Sequence, residues 1–112
     1  MKVAFATTDW EHVQGQLRRA RRLVVYEVMA DGWRLSRSCS FEDAAARSEH
    51  RIQALAGAAI LYVAAIGPST AARLAAHGIR AATAPEGTPI RDVLVGIARK
   101  LAPHREADPS CA

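Results

Sequence analysis

Cysteine, aromatic side chains and long apolar runs are all scarce in this chain of 112 residues. The two cysteines, Cys39 and Cys111, lack the spacing of a metal-ligand pair, and without an export signal they do not predict a disulfide. The longest apolar run, GAAILYVAAIG, is too short to cross a bilayer. These absences argue against a disulfide scaffold and a membrane span, and we expect a soluble cytoplasmic protein.

Acidic side chains are outnumbered by basic ones. Fifteen lysine and arginine residues face eleven aspartate and glutamate residues, so the formal net charge is +4 and the isoelectric point is near 9.7. A basic surface favours anionic partners such as phosphate, carboxylate, an anionic cofactor or nucleic acid, although a merely solvated surface fits the same charge. Nucleic acid is not favoured, because the basic cluster RRARR lacks interleaved aromatic residues and no predicted recognition helix is rich in basic residues.

The carboxylates that a nuclease would need are missing from the expected positions. Two-metal nucleases place several carboxylates at converging strand ends. The apolar segment 58–65 has none, while Asp9 and Glu27 stand alone near the first and second predicted strands. No nucleophile–histidine pair can be identified either. We therefore expect no enzymatic activity.

The sequence does contain an alternation of apolar strands and amphipathic helices. Strand patterns occupy residues 2–8, 21–29, 33–39, 58–65 and 79–84, with an Asp-Gly hairpin signal between the second and third. Helical patterns occupy 41–56, a segment that opens within 66–70 and ends at Gly78, and a segment that begins at Pro89. The order βββαβαβα predicts an α/β fold with a mixed five-stranded sheet and helices on both faces. We expect one domain over 1–102, followed by a flexible tail at 103–112.

Four phrases of the chain together resemble a known family. They are MKVAFATTD, ARRLVVYEV, HRIQALAGAAILYVAAIGPSTAARLAAHGI and EGTPIRDVL. In this order and spacing they are similar to the nitrogenase cofactor carrier family, the NifX/NafY group, which includes the C-terminal part of NifB proteins. The resemblance implies an RNase H-like fold and a non-catalytic carrier of the iron–molybdenum cofactor or its iron–sulfur precursor. It also implies cofactor assembly and insertion proteins as partners.

The chain departs from this family in the loop after the first strand. Many members carry a His-Phe-Gly triplet there, whose histidine is the usual candidate for contacting the cluster; the matching positions here are Gln16, Leu17 and Arg18. A cysteine that often precedes the central strand corresponds to Ala58. Neither glutamine nor alanine is an ordinary iron ligand.

Arginine in the same loop suggests another way to hold an anionic cluster. We hypothesise that Arg18 and Arg19, with either Arg21 or Arg22, capture it through charge-assisted hydrogen bonds. Side chains alternate along a strand, so Arg21 and Arg22 cannot both contribute. The alternative is that these arginines are solvated and protect a sheet edge from pairing. His12 is the candidate metal ligand from a shifted position, or else an ordinary exposed histidine.

A third candidate is the segment Gly67-Pro68-Ser69-Thr70, which follows the central strand and opens a helix. Exposed amides at such a helix start receive anions, although Ser69 as a plain helix cap explains the same residues. The predicted cofactor-binding residues are therefore His12, Gln16, Arg18, Arg19, Gly67 and Ser69. A cofactor-free interaction adaptor of the same fold, with a degenerate cluster site, is the competing function.

Overall fold

In the computed structural model, which describes residues 1–17, 20–41 and 48–102, the predicted order of strands and helices is confirmed. The strands are β1 (Lys2–Thr7), β2 (Arg22–Met29), β3 (Gly32–Ser40), β4 (Ile60–Val63) and β5 (Arg80–Thr83). The helices are α1 (Ser48–Ala54), α2 (Pro68–Ala76) and α3 (Ile90–Leu101). Within the described ranges, no helix has the length and hydrophobicity needed to cross a membrane. The predicted tail at 103–112 lies outside the described residues.

The five strands form one mixed sheet in the order β3-β2-β1-β4-β5. β1 pairs antiparallel with β2, and β2 pairs antiparallel with β3 through the predicted hairpin, where Met29 is opposite Gly32. β1 also pairs parallel with β4, and β4 pairs parallel with β5. The predicted mixed five-stranded sheet is therefore confirmed. β2 lies inside the sheet, so the interpretation that the arginines at its start protect a sheet edge is wrong.

Helices cover both faces of the sheet, as predicted. Alternating residues of β1 explain why its sequence is almost continuously apolar: Ala4 and Ala6 pack with α1 and α2, while Val3 and Phe5 pack with α3. A strand with both faces buried needs apolar side chains at every position. The same reasoning holds for Leu61 of β4, which is fully buried on the α1 and α2 side.

The central strand is shorter than its apolar run predicts. β4 ends at Val63, although the run continues to residue 65. The amide groups of Ala64 and Ala65 donate to the carbonyl of Gly15, at 2.9 and 3.4 Å, and this bonding turns the chain away from the sheet. A hydrogen bond to a distant loop thus decides where the strand stops.

Candidate functional site

Three loops meet where the parallel strands β1, β4 and β5 end. The loop after β1 bonds to the loop after β4 through the Gly15 carbonyl. It also bonds to the loop after β5, because Val13 donates to the Thr88 carbonyl at 2.8 Å and accepts from Gly87 at 2.8 Å. In open α/β sheets, ligands bind in the crevice beyond the carboxyl ends of the strands. This edge is therefore the place to look for a site.

The loop after β1 is held by its own side chains. The Oε1 atom of Gln14 accepts from the amides of Thr8, at 2.8 Å, and Asp9, at 3.2 Å. The amide of Gly15 donates to Oε1 of Glu86 at 2.9 Å. The sequence indicated a polar loop but assigned no role to Gln14 or Glu86. Only the partners of these side chains, 5 to 71 residues away along the chain, reveal that role.

Asp9 organises the part of this loop that carries His12. One carboxylate oxygen accepts from the amides of Glu11 and His12, each at 2.9 Å, and the other lies 2.6 Å from Nδ1 of His12. The hydrogen bond from the Glu11 amide and that from the His12 ring hold the pKa of Asp9 well below its usual value. Because an ionised carboxylate only accepts, Nδ1 of His12 donates in this contact, and in the neutral ring Nε2 keeps a lone pair for a ligand.

Trp10 adopts a backbone conformation that bulky residues rarely adopt. Its φ angle is 70°, the left-handed region, which costs about 1–3 kcal/mol for a non-glycine residue. The amide of Trp10 donates to Oγ1 of Thr7 at 3.0 Å. The centroid of its ring lies 5.0 Å from the guanidinium carbon of Arg22. A guanidinium nitrogen of Arg22 also donates to the Thr8 carbonyl at 2.6 Å. These contacts hold the indole in a fixed position despite the strain.

Trp10 and His12 line a cavity of about 370 Å³ between this loop, the sheet and the start of α3. The described lining residues are Trp10, Glu11, His12, Tyr26, Trp33, Pro89, Ile90, Arg91 and Leu94. The rings of Trp10, Tyr26 and Trp33 line the cavity, and Arg91 and Glu11 add a guanidinium and a carboxylate to its lining. The cavity therefore offers one imidazole, one guanidinium and one carboxylate among aromatic and aliphatic side chains.

The predicted binding residues do not all gather at this cavity. His12 is half-buried and lines it, whereas Gln16, Gly67 and Ser69 are exposed and lie outside its described lining. Gly67 is the N-cap of α2, and no side chain caps that helix, so the interpretation of Ser69 as a plain cap is wrong. Arg18 and Arg19 lie outside the described residues.

The two described arginines near the start of β2 have different surroundings. Arg22 contacts Trp10 and Thr8, while Arg21 is exposed just before the strand. Among the residues that the structure describes, no group of three or more His, Cys, Asp or Glu side chains is arranged to hold a metal ion. The described part of this edge therefore presents the single imidazole of His12 rather than a preformed metal-ion cage.

Comparison with known proteins places the chain in a family. The model of the family described as "Dinitrogenase iron-molybdenum cofactor" matches residues 1–100. Proteins named NifX are similar in sequence: that of Herbaspirillum seropedicae is 38% identical over 103 residues, and that of Klebsiella pneumoniae is 37% identical over 98 residues. Each match covers 84% of this chain, and 68% and 63% of the respective relative, so the chain spans about two thirds of their length.

A third NifX protein, from Sinorhizobium fredii, is 31% identical over 105 residues, which is 84% of this chain and 66% of that protein. The crystal structure of PH0822 superposes with a TM-score of 0.68 and 22% identity, covering 88% of this chain and 90% of that one, and supports the fold alone. The family resemblance seen in the four sequence phrases is confirmed. The chain belongs to the dinitrogenase iron-molybdenum cofactor family of nitrogen fixation, as a NifX-like member.

Proposed function

We propose that the chain acts in nitrogenase cofactor biosynthesis as a non-catalytic carrier of the iron–molybdenum cofactor or its iron–sulfur precursor. The family match over residues 1–100 and the NifX relatives support this role. We further propose that its partners are the proteins that assemble and insert the cofactor. The strand order, with three antiparallel strands followed by two parallel ones, supports assignment of the sheet to the RNase H-like class.

The observation that carries the proposal is the Asp9–His12 pair at the aromatic cavity. The 2.6 Å contact between Asp9 and Nδ1 orients the ring and leaves Nε2 for a ligand. A carboxylate that accepts from the second nitrogen of a histidine also raises the basicity of the ligating nitrogen. His12 is thus equipped to replace the histidine that the family usually carries at the position of Gln16.

Besides the His12 ligand, arginine side chains provide electrostatic attraction for an anionic cluster. Arg91 lines the cavity, and the guanidinium of Arg22 lies on the neighbouring Trp10 ring. We propose Arg18 and Arg19 as further contacts from the same loop. A carrier must release its cargo, and one imidazole with several charge-assisted hydrogen bonds holds a cluster less permanently than a full set of protein ligands.

Gln16, Gly67 and Ser69 form the outer part of the proposed site. The Gly15 carbonyl accepts from Ala64 and Ala65, which brings the loop after β1 to the segment that leads into α2. Gly67 is the N-cap of α2 and no side chain caps this helix, so the amides that follow Pro68 in its first turn are open to an anionic group. We propose that these residues contact the part of the cluster that extends beyond the cavity.

Anaerobic loading tests the proposal. The full chain is mixed with isolated iron–molybdenum cofactor precursor, desalted, and examined for iron content and visible absorption. We expect retention by the unmodified chain, a loss of at least roughly tenfold in affinity for His12→Ala, and no loss for the matched control His50→Ala, since His50 is exposed on α1. Failure of the unmodified chain to retain iron would refute the carrier role. Equal retention by both variants would refute only the role of His12.

The second candidate function is a cofactor-free adaptor. It is favoured by Gln16 and Ala58 at the positions where the family often has histidine and cysteine, and Ala58 is 5% exposed. An adaptor would bind cofactor assembly proteins with equal affinity before and after anaerobic treatment with the precursor. The iron count in the loading experiment distinguishes it from a carrier.

A further inference from the structure

The α3 face of β4 and β5 is only partly covered. α3 packs on β2 and β3, so Ile60 and Tyr62 are half-buried on this face, whereas Leu61 and Val63 on the other face are fully buried. The open area is a groove of about 680 Å³, larger than the cavity at His12. Its described lining residues are Met1, Ile60, Tyr62, Arg80, Ala81, Ala82, Thr83, Ile97, Lys100 and Leu101.

Backbone groups that have no partner among the described residues run along one side of this groove. β5 is the last strand of the sheet, and the amides of Arg80 and Ala84 donate to the Ala59 and Val63 carbonyls of the β4 side, at 3.0 and 2.9 Å. In a parallel strand, alternate residues direct their amide and carbonyl to the same neighbour. Ala81 and Thr83 therefore direct theirs to the outer edge.

The side chains around the groove are apolar and basic. Met1 and Leu101 line it and are 49% and 40% exposed, which makes them two of the most exposed large hydrophobic residues that the structure describes. The charged side chains of the described lining, Arg80 and Lys100, are both basic, and the lining contains no acidic one. The surface therefore complements a segment that combines apolar and acidic residues.

We propose that this groove docks an extended acidic segment of a protein partner, which adds to β5 as a sixth strand. The outward groups of Ala81 and Thr83 supply main-chain hydrogen bonds, which give affinity in strand addition. Apolar side chains of the segment fill the space over Tyr62 and Ile97. Its carboxylates pair with Arg80 and Lys100, which fixes the preference for an acidic partner. This docking requires no metal cargo.

A pair of synthetic peptides tests the proposal on the full chain. One fluorescein-labelled peptide of about eight residues alternates valine and glutamate, and its control carries lysine in place of glutamate. Fluorescence anisotropy at about 50 and about 300 mM salt should show binding of the glutamate peptide that weakens with salt, and little binding of the lysine peptide. Equal binding of both peptides, or of neither, would overturn the proposal.

Variants locate the binding. Arg80→Glu with Lys100→Glu should weaken the glutamate peptide by roughly tenfold, whereas the matched double variant Arg34→Glu, Arg99→Glu, at exposed positions outside the groove lining, should not. Thr83→Pro removes one outward amide at an edge position where proline is tolerated, and should also weaken binding. Unchanged binding in Thr83→Pro, or self-association of the chain through β5 in sedimentation, would show that no partner strand is added there.

Discussion

At the scale of single residues, the loop after β1 depends on two side chains that the sequence alone does not distinguish from ordinary polar residues. Asp9 accepts from two amides and from the ring of His12, and Gln14 accepts from two more amides. Between these bonds, Trp10 has a φ of 70° and its amide donates to Oγ1 of Thr7. His12 therefore lies in a loop that several side-chain hydrogen bonds hold together.

The lowered pKa of Asp9 predicts how stability changes with pH. Because the folded state holds this pKa below the unfolded value of about 3.9, the stability that Asp9 contributes is present above that value and is lost as the pH falls through the folded pKa. We expect Asp9→Asn to flatten the fall in the free energy of unfolding below about pH 4, as measured by urea denaturation at a series of pH values. The matched control is Asp31→Asn in the hairpin turn, and an identical profile for both variants would contradict the prediction.

Arg51 is a second residue whose role depends on distant contacts. It is completely buried on α1, its Nε donates to the Ala20 carbonyl at 3.0 Å, and its guanidinium carbon lies 5.0 Å from the Phe41 ring. It joins the end of the loop after β1 to the helix that packs over it. Removing the charged donor from a buried carbonyl lowers the free energy of unfolding, because the carbonyl is left without a hydrogen bond.

We expect Arg51→Met to lower the free energy of unfolding by about 2 kcal/mol, because the Ala20 carbonyl would lose its donor in a site closed to water. Urea denaturation monitored by circular dichroism measures the change. Arg34→Met, at an exposed position of β3, is the control and should alter stability by less than about 0.5 kcal/mol. Comparable effects at both positions would contradict the structural role of Arg51.

At the scale of elements, helix packing follows the apolar periodicity of the sequence. α3 places Ile90, Leu94 and Ala98 against the sheet. Its last turn is different, because Leu101 is 40% exposed and lines the groove beside β5. One helix therefore serves both the core and an open surface.

The two leucines of α3 provide a matched comparison. Leu94→Ala should lower the free energy of unfolding by about 2–5 kcal/mol, because a buried side chain is replaced by a cavity. Leu101→Ala should change it by less than about 1 kcal/mol, because the leucine side chain is already partly in water. Chemical denaturation of both variants checks the difference, and a larger loss at Leu101 would contradict this division of α3.

At the scale of the whole molecule, the strands of the sheet differ in how well they are protected from local opening. β1 lies at its centre with a partner on each side, while β3 and β5 form its borders. Both core clusters include residues of β1, one on each face. The centre should therefore open only when the molecule unfolds, and the borders should open locally.

Hydrogen exchange tests this ranking. We expect the amides of Ala4 and Phe5 to exchange most slowly, and the outward amides of Ala81 and Thr83 in β5 to exchange at least roughly a hundredfold faster. Exchange of the backbone amides is followed by NMR at neutral pH. Slow exchange at Ala81 and Thr83 would mean that the outer edge of β5 is already paired.

The sequence by itself determined the order of elements, the two-sided sheet and the family. Apolar spacing is local, so the near-continuous apolar character of β1 and the helical stripe of α3 predict which faces are buried. The family resemblance is also local, because it rests on four short segments of the sequence. Residue type alone also selected His12 as the candidate donor.

Only the tertiary structure decided which residues meet. The sequence predicted His12, Gln16, Gly67 and Ser69 as site residues, whereas only the structure shows that Trp33 and Arg91 line the same cavity as His12. The end of β4 was likewise decided by the carbonyl of Gly15. The physical reason is that these contacts depend on sheet topology, which brings together the ends of strands far apart in the chain, and no local periodicity encodes that proximity.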